Sequence, residues 1–170
     1  FGVPLEIAKK WFSLNLFDRN KYGGKGYMVK FFEDCYAAGD ALGLCRFITP
    51  WRLGLGPEEM AMLTTAATGI NFSWKDMLII GERIWTVEIA IQRIYGLGRE
   101  GDYPPKRVFS EPCGEGAAKG KVLDLGRYEA MLDEYYEIRG YDKNGSPKLE
   151  KLKELGLDNV VETLKLKGGL

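Results

Sequence analysis

The stretch from Ser73 to Tyr95 constrains the fold more than any other part of this chain. Met77, Ile80, Ile84, Val87, Ile91 and Ile94 recur at the helical period. Ser73, with Asp76 three residues on, forms a capping pair, and Gly96 ends the run. Trp74, Leu78, Trp85 and Ile89 widen the apolar surface well beyond one stripe. A helix this apolar has to be packed on more than one side, so it needs neighbours around it.

The flanking segments supply them. Pro4 to Phe17 places Leu5, Ile7, Ala8, Trp11, Phe12, Leu14 and Leu16 at helical spacing, with Pro4 suited to a first turn. Tyr27 to about Leu44 predicts a second helix, with Met28, Phe31, Phe32, Cys35 and Tyr36 on one stripe. Glu58 to Thr68 predicts a short helix closed by Gly69, and Arg127 to Arg139 another closed by Gly140. Pro147–Leu155 and Asp158–Leu166 complete the set, after a turn at "YDKNGSP". "NKYGGKG" and "PWRLGLGPEE" are breaks. From about Leu97 to Asp124 the pattern fails, with prolines at 104, 105 and 112. A loop this long is expected to be mobile or to cross a surface supplied by another domain. No strand pattern and no internal repeat is visible. The fold class is therefore all-α: residues 1–170 form a single multihelical domain with one long irregular loop.

Composition narrows the function classes. Lys+Arg and Asp+Glu are both 24, so the formal net charge is zero. That gives no electrostatic case for nucleic acid or an anionic membrane surface, and no apolar run is long enough to span a bilayer. The three cysteines, Cys35, Cys45 and Cys113, form no disulfide pattern. Their odd count favours a reducing compartment and predicts a cytoplasmic location. No signal peptide is apparent, and the chain opens on Phe1, as expected of a fragment, a processed chain or an incomplete sequence. The absence of histidine removes any histidine-based triad or zinc site from what this chain itself can supply.

Chemistry concentrates in "GDALGLC", Gly39 to Cys45. Gly43 and Leu44 lie three and four residues after Asp40, and Cys45 sits just past the bend that Gly43 allows. A carboxylate at 40 can accept two hydrogen bonds from a planar N–H-rich group. A thiolate at 45 can ligate iron, and Arg46 beside it would favour that form. On residue chemistry alone, a helix end carrying a cap and a small apolar thiol is the commoner reading. Cys35, on the apolar stripe, is assigned to the core, and Cys113 has no local partner. "GGKG" at 23–26 and "GLG" at 54–56 and 96–98 lack the phosphate-loop form and predict loops. Glu58 with Glu59, and Asp133 with Glu134, predict solvated helix-surface pairs. Trp11, Trp51, Trp74 and Trp85 predict core or interface anchors.

"DALGLC" resembles the D-x-x-G-L-C motif of the tungsten-containing aldehyde:ferredoxin oxidoreductase family. "GERIWTVEIAIQRIYGLGREGDYPPKR" is similar to that family's long helix and following loop. "AAKGKVLDLGRYEAMLDEYYEIRGYDKNGSPKLEKLKELGL" resembles its C-terminal region, the YY-E-x-RG run being the most specific part. The resemblance spans about Gly39 to Leu157 and implies the all-helical C-terminal part of such an enzyme. It implies that Asp40 hydrogen-bonds a pterin of a tungsten (or molybdenum) bis-pyranopterin, that Gly43 allows close approach, that Leu44 meets the cofactor through its backbone, and that Cys45 is the fourth ligand of a [4Fe-4S] cluster. The family's C-x-x-C-x-x-x-C motif, its second D-x-x-G-L motif and its active-site histidine and glutamate have no counterpart in this chain. The chain alone is accordingly expected to be inactive and to hold neither cofactor. The implied partners are the N-terminal domain of the same enzyme and ferredoxin or another electron-carrier subunit, with a homo-oligomer possible. The implied reaction is oxidation of aldehydes to carboxylic acids. Two alternatives are the active subunit of a benzoyl-CoA-type aromatic-ring reductase and a cofactor-free helical interaction module.

Overall fold

The computed structural model describes residues 2–49 and 54–167, and among these the fold is all-α. The helices are α1 (Leu5–Ser13), α2 (Lys25–Ala41), α3 (Pro57–Thr68), α4 (Trp74–Ile94), the single turn α5 (Arg107–Ser110), α6 (Leu125–Arg139), α7 (Leu149–Glu154) and α8 (Asp158–Lys167). Extended pairing among the described residues is one isolated bridge, Tyr141 to Pro147. Trp51, with its neighbours at 50–53, lies outside the described residues.

The central helix is α4, as its sequence predicts. Ser73 accepts the Asp76 N–H and Asp76 returns a bond to the Ser73 N–H at 2.7 Å, closing a capping box. α2 lies along one side of α4, α3 packs on the same helix, and α6 closes over α2. Gly81 sets the closest approach. A Cβ added there would fall 1.8 Å from the Asp34 carbonyl oxygen, so only glycine lets α2 and α4 meet at this depth. Gly26 does the same against Tyr135 of α6, 3.1 Å from its Cα. "GGKG" thus runs into the start of α2 rather than forming a free loop, with Gly24 as the left-handed N-cap and Gly26 kept small by the contact with α6.

Three apolar groups fill the interior. Trp11, Leu16, Phe31, Cys35, Met60 and Met77 pack where α1, α2, α3 and α4 converge. Ile89, Leu132, Tyr136 and Tyr141 join α4 to α6, and Ala90, Leu152, Leu157 and Leu164 join α4 to α7 and α8. Cys35 is fully buried, and burial pushes its thiol up to about 12. It is the core residue its position on the stripe predicts.

Polar groups also hold the helices together. Arg139, near the end of α6, is entirely buried. Its guanidinium donates to Asp34 Oδ1 and Glu33 Oε2, both at 2.5 Å, on α2, and lies over the rings of Trp85 and Tyr135. Tyr135 donates to Glu33 at 2.7 Å and accepts from Trp85 Nε1 at 3.2 Å. Lys30 bridges Asp34 and Glu82 of α4 at 2.8 and 3.0 Å, and Lys151 of α7 reaches Glu82 at 3.4 Å. Four helices share one charge network. Burial raises the Glu33 and Asp34 carboxyls despite Arg139, while the Glu82 carboxyl is held down by Lys30 and Lys151 against its own burial.

The stretch from 97 to 124 departs from expectation. Its first half is seated on α6: Arg99 pairs with Asp133 at 2.5 Å and lies over the Tyr136 ring, Tyr128 donates to the Asp102 carbonyl at 2.6 Å, and Phe109 meets Tyr128 edge-on. Tyrosines along α6 support this half from within the chain. Only the excursion around 111–122 is exposed throughout, closed at its base by Cys113 and Lys121. Asp133 is therefore ion-paired, and Glu134 accepts the Gly24 N–H at 2.6 Å. Glu59 likewise accepts the Gly56 N–H at the start of α3. Three of the four acids expected to be simply solvated are tied to named partners.

Two outcomes follow. Arg139→Lys keeps a charge but cannot satisfy two carboxylates and a carbonyl in a fixed fork, and Arg139→Met leaves Asp34 buried beside Lys30 alone. Breaking a buried pair costs about 3–5 kcal/mol, so both variants should lower the denaturant midpoint markedly, Met more than Lys. The second outcome concerns alkaline pH. Burial pushes Cys35 up from 9.0 and Tyr141 up from 10.0, each to about 12. Both fold protonated, and the unfolded chain releases these protons first. Their contribution is complete below pH 9 and is lost as pH rises toward 12, by up to ~1.4 kcal/mol per group per pH unit. Denaturation from pH 8 to 11 should show the decline, and Tyr141→Phe should flatten it above pH 10.

Candidate functional site

The candidate residues gather at the C-terminal end of α2. The helix stops at Ala41 rather than near Leu44 because Gly43 takes a left-handed conformation, φ 71°. The Leu44 N–H bonds to the Gly39 carbonyl and the Gly43 N–H to the Asp40 carbonyl, each at 3.0 Å, the double closure of a Schellman end. A Cβ at Gly43 would meet nothing within 4 Å, so the residue is needed for its backbone angle and its surface is open. Gly39 is buried against Met60 and Thr49, and the Leu44 side chain packs on the α1–α4 core. The end of α2 is thereby clamped on its inner side.

Asp40 and Cys45 are both exposed on either side of this closure. Cys45 has extended backbone and leads into a short 3-10 turn, Arg46–Ile48, which Thr49 secures by donating to the Arg46 carbonyl at 2.6 Å. Arg46 pairs with Asp40 and lies over an aromatic ring. Its Nη2 lies 2.5 Å from Asp40 Oδ2, and its guanidinium stands 4.8 Å from the centre of the Tyr36 ring. The planar N–H-rich group on Asp40 is thus the chain's own arginine, with the second carboxylate oxygen left as an acceptor. The commoner reading of this stretch places a buried thiol at 45, whereas the thiol is exposed. The structure brings Asp40, Gly43, Leu44 and Cys45 into one turn. Cys35 is in the core, and Cys113 lines a groove beside Asn20 and Tyr22, at the other end of α2. Among the described residues no three acids or cysteines gather as a metal site, and no helix is long and apolar enough to cross a membrane.

Sequence reasoning missed the Arg139 network. Its signal was present in "YYEIRG", where Arg139 falls four residues after Tyr135 and three after Tyr136, on the face those rings bury.

Comparison with known proteins identifies the family. The family described as "Aldehyde ferredoxin oxidoreductase, domains 2 & 3" matches residues 5–157. The tungsten-containing aldehyde ferredoxin oxidoreductase of Pyrococcus abyssi is 43% identical over 135 residues, which cover 79% of this chain and 21% of that protein. That of Thermococcus kodakarensis is 41% identical over 131 residues, covering 76% and 21%. The aliphatic sulfonate oxidoreductase, WOR-like subunit, of Pyrococcus furiosus is 33% identical over 152 residues, covering 83% and 22%. Among solved structures, the active site complex BamBC of benzoyl coenzyme A reductase, in complex with 1,5-dienoyl-CoA, superposes with a TM-score of 0.71 at 22% identity, over 90% of this chain and 22% of that one. At that identity the likeness is one of fold. The chain spans about a fifth of the length of these curated relatives. On the family match and these identities, the chain belongs to the aldehyde ferredoxin oxidoreductase family, in the region of its domains 2 and 3.

Proposed function

We propose that this chain is the C-terminal cofactor-binding region of a tungsten (or molybdenum) pterin oxidoreductase that oxidises aldehydes to carboxylic acids and passes the electrons through a [4Fe-4S] cluster to ferredoxin. The observation that carries the reading is the end of α2. A carboxylate and a thiol stand exposed on one rigid turn, while Gly39 and Leu44 anchor that turn to the core. The donor set suits the two groups. Asp40 has an acceptor oxygen free of Arg46, as a pterin's ring N–H groups require. Cys45 has a side chain with no partner among the described residues, as an iron ligand requires. A four-thiolate cluster needs three more cysteines. Cys35 is buried and held protonated, and Cys113 lies at the opposite end of α2, so the other ligands come from the rest of the enzyme. The relatives' length, about five times the part matched, leaves room for that portion. In this reading the bound cofactors supply the two-electron chemistry. Asp40 would hold the pterin, the Leu44 backbone would face it, Gly43 would leave the approach open, and Cys45 would ligate the cluster.

A second reading has one observation in its favour, the fold shared with benzoyl coenzyme A reductase. The same turn would then serve an aromatic-ring reductase. Activity of the full-length enzyme on aldehydes against aromatic acyl thioesters separates the two.

Metal analysis of the full-length enzyme tests the assignment. Cys45→Ser should lower iron content and alter the cluster's spin-resonance signal, with tungsten retained. Asp40→Asn should lower tungsten occupancy with iron retained, through loss of a charge-assisted bond worth about 1.5–3 kcal/mol. Arg46→Gln, which removes only the internal partner of Asp40, should leave both metals in place. Equal loss of both metals in the two variants, or loss of neither, defeats the separate roles. The second result favours a helical module without cofactors.

A further inference from the structure

At the end of α2 opposite Asp40, a groove of about 1150 Å³ opens between the 19–22 turn, the start of α6 and the 107–124 excursion. Arg19, Lys21, Arg107, Lys121 and Arg127 line it, against the carboxylates of Glu111 and Asp124. The chain's zero net charge is therefore unevenly spread, with a three-charge excess of cation in one concavity. Elsewhere Arg46, Arg93, Arg99 and Arg139 each hold a carboxylate within 4 Å. Among the described residues no groove cation does. Lys21 donates to the Leu14 carbonyl and Lys121 to Asn20 Oδ1, both neutral acceptors. Arg127 stacks 4.5 Å from the centre of the Tyr22 ring. Among the described residues Arg19 and Arg107 have no side-chain partner. Asp124 is occupied in accepting the Arg127 N–H as the cap of α6.

We propose that this groove binds a multiply charged oxyanion of the phosphate class, a free polyphosphate or the phosphate tail of a nucleotide. Clustered like charges in a concave wall focus the field on whatever enters. The arginine fork matches tetrahedral oxyanions with paired N–H bonds. The groove is large enough to admit a nucleotide, and the three-charge excess matches pyrophosphate or ADP. The Tyr22 hydroxyl accepts the Asp124 N–H at 3.0 Å, so the groove's two walls are already tied together. The ligand would meet a preformed site.

The test is calorimetric titration of the full-length enzyme with pyrophosphate and with ADP at 0.15 M salt. Saturable binding that weakens as salt rises is expected. Arg19→Gln with Arg107→Gln, both without partners to lose and so neutral for folding, should weaken it at least about tenfold. Lys121→Gln alone should weaken it less. Equal affinities for the two probes identify a free polyphosphate as the ligand, and a tenfold preference for ADP identifies a nucleotide. Absence of saturable binding by either probe, or unchanged affinity in the double variant, overturns the proposal.

Discussion

The buried guanidinium of Arg139 is the interaction on which the rest of the structure depends. It sits where α2, α4 and α6 meet, and no face of it reaches water. A charge so placed is tolerated only if its partners are complete, because removing it from water costs several kcal/mol before any bond is made. Asp34 and Glu33 supply the opposite charge, Tyr135 a hydroxyl and Trp85 a ring face. Each has one place to stand if the bonds are to form. The network therefore fixes the rotation of α2 about its axis and the depth at which α6 lies on it, a specificity that apolar contacts alone do not provide. Glycines complete the constraint, since Gly81 and Gly26 let the backbones come close enough for these side chains to meet.

This placement bears directly on the candidate site. Asp34 and Asp40 belong to the same helix, and six residues of helix rise about 9 Å. Whatever locks Asp34 locks the direction in which α2 ends, and hence where Asp40 and Cys45 point. The Met60–Gly39 contact and the seating of Leu44 in the core hold the last turn from the α3 side. A site meant to keep two groups in register needs such support behind it. Here that support comes from helices far apart in sequence.

Local rules made the helices legible. The capping box at Ser73, Gly69 closing α3 and Gly140 closing α6 all act within a few residues, so spacing alone reveals them. The motif at Gly39–Cys45 was legible as a helix end for the same reason, through Gly43. What stayed hidden depends on distant partners. Nothing near Asp133 announces Arg99, 34 residues away, and nothing near Asp34 announces Arg139, 105 residues away. The seating of the first half of the 97–124 stretch was hidden for a related cause. Its prolines and glycines forbid long helices, but its anchors are tyrosines on α6, whose partners only the fold discloses. The pairing of Arg46 was not legible either, since its carboxylate lies six residues back and its ring ten residues back.

Two arginine–aspartate pairs show how burial alone divides a fixed contact from a replaceable one. Arg139 meets Asp34 at 2.5 Å with both side chains inaccessible, and Arg46 meets Asp40 at the same 2.5 Å with more than half of each side chain exposed. The chemistry and the distance are identical. The exposed pair competes with water on every side and is worth about 0–1 kcal/mol, so a ligand offering Asp40 a charge-assisted bond of about 1.5–3 kcal/mol can take the carboxylate at little cost. The buried pair has no such competitor, and breaking it strands a charge. One end of α2 can therefore exchange its partner while its middle cannot, and the helix can present a replaceable contact from a fixed position.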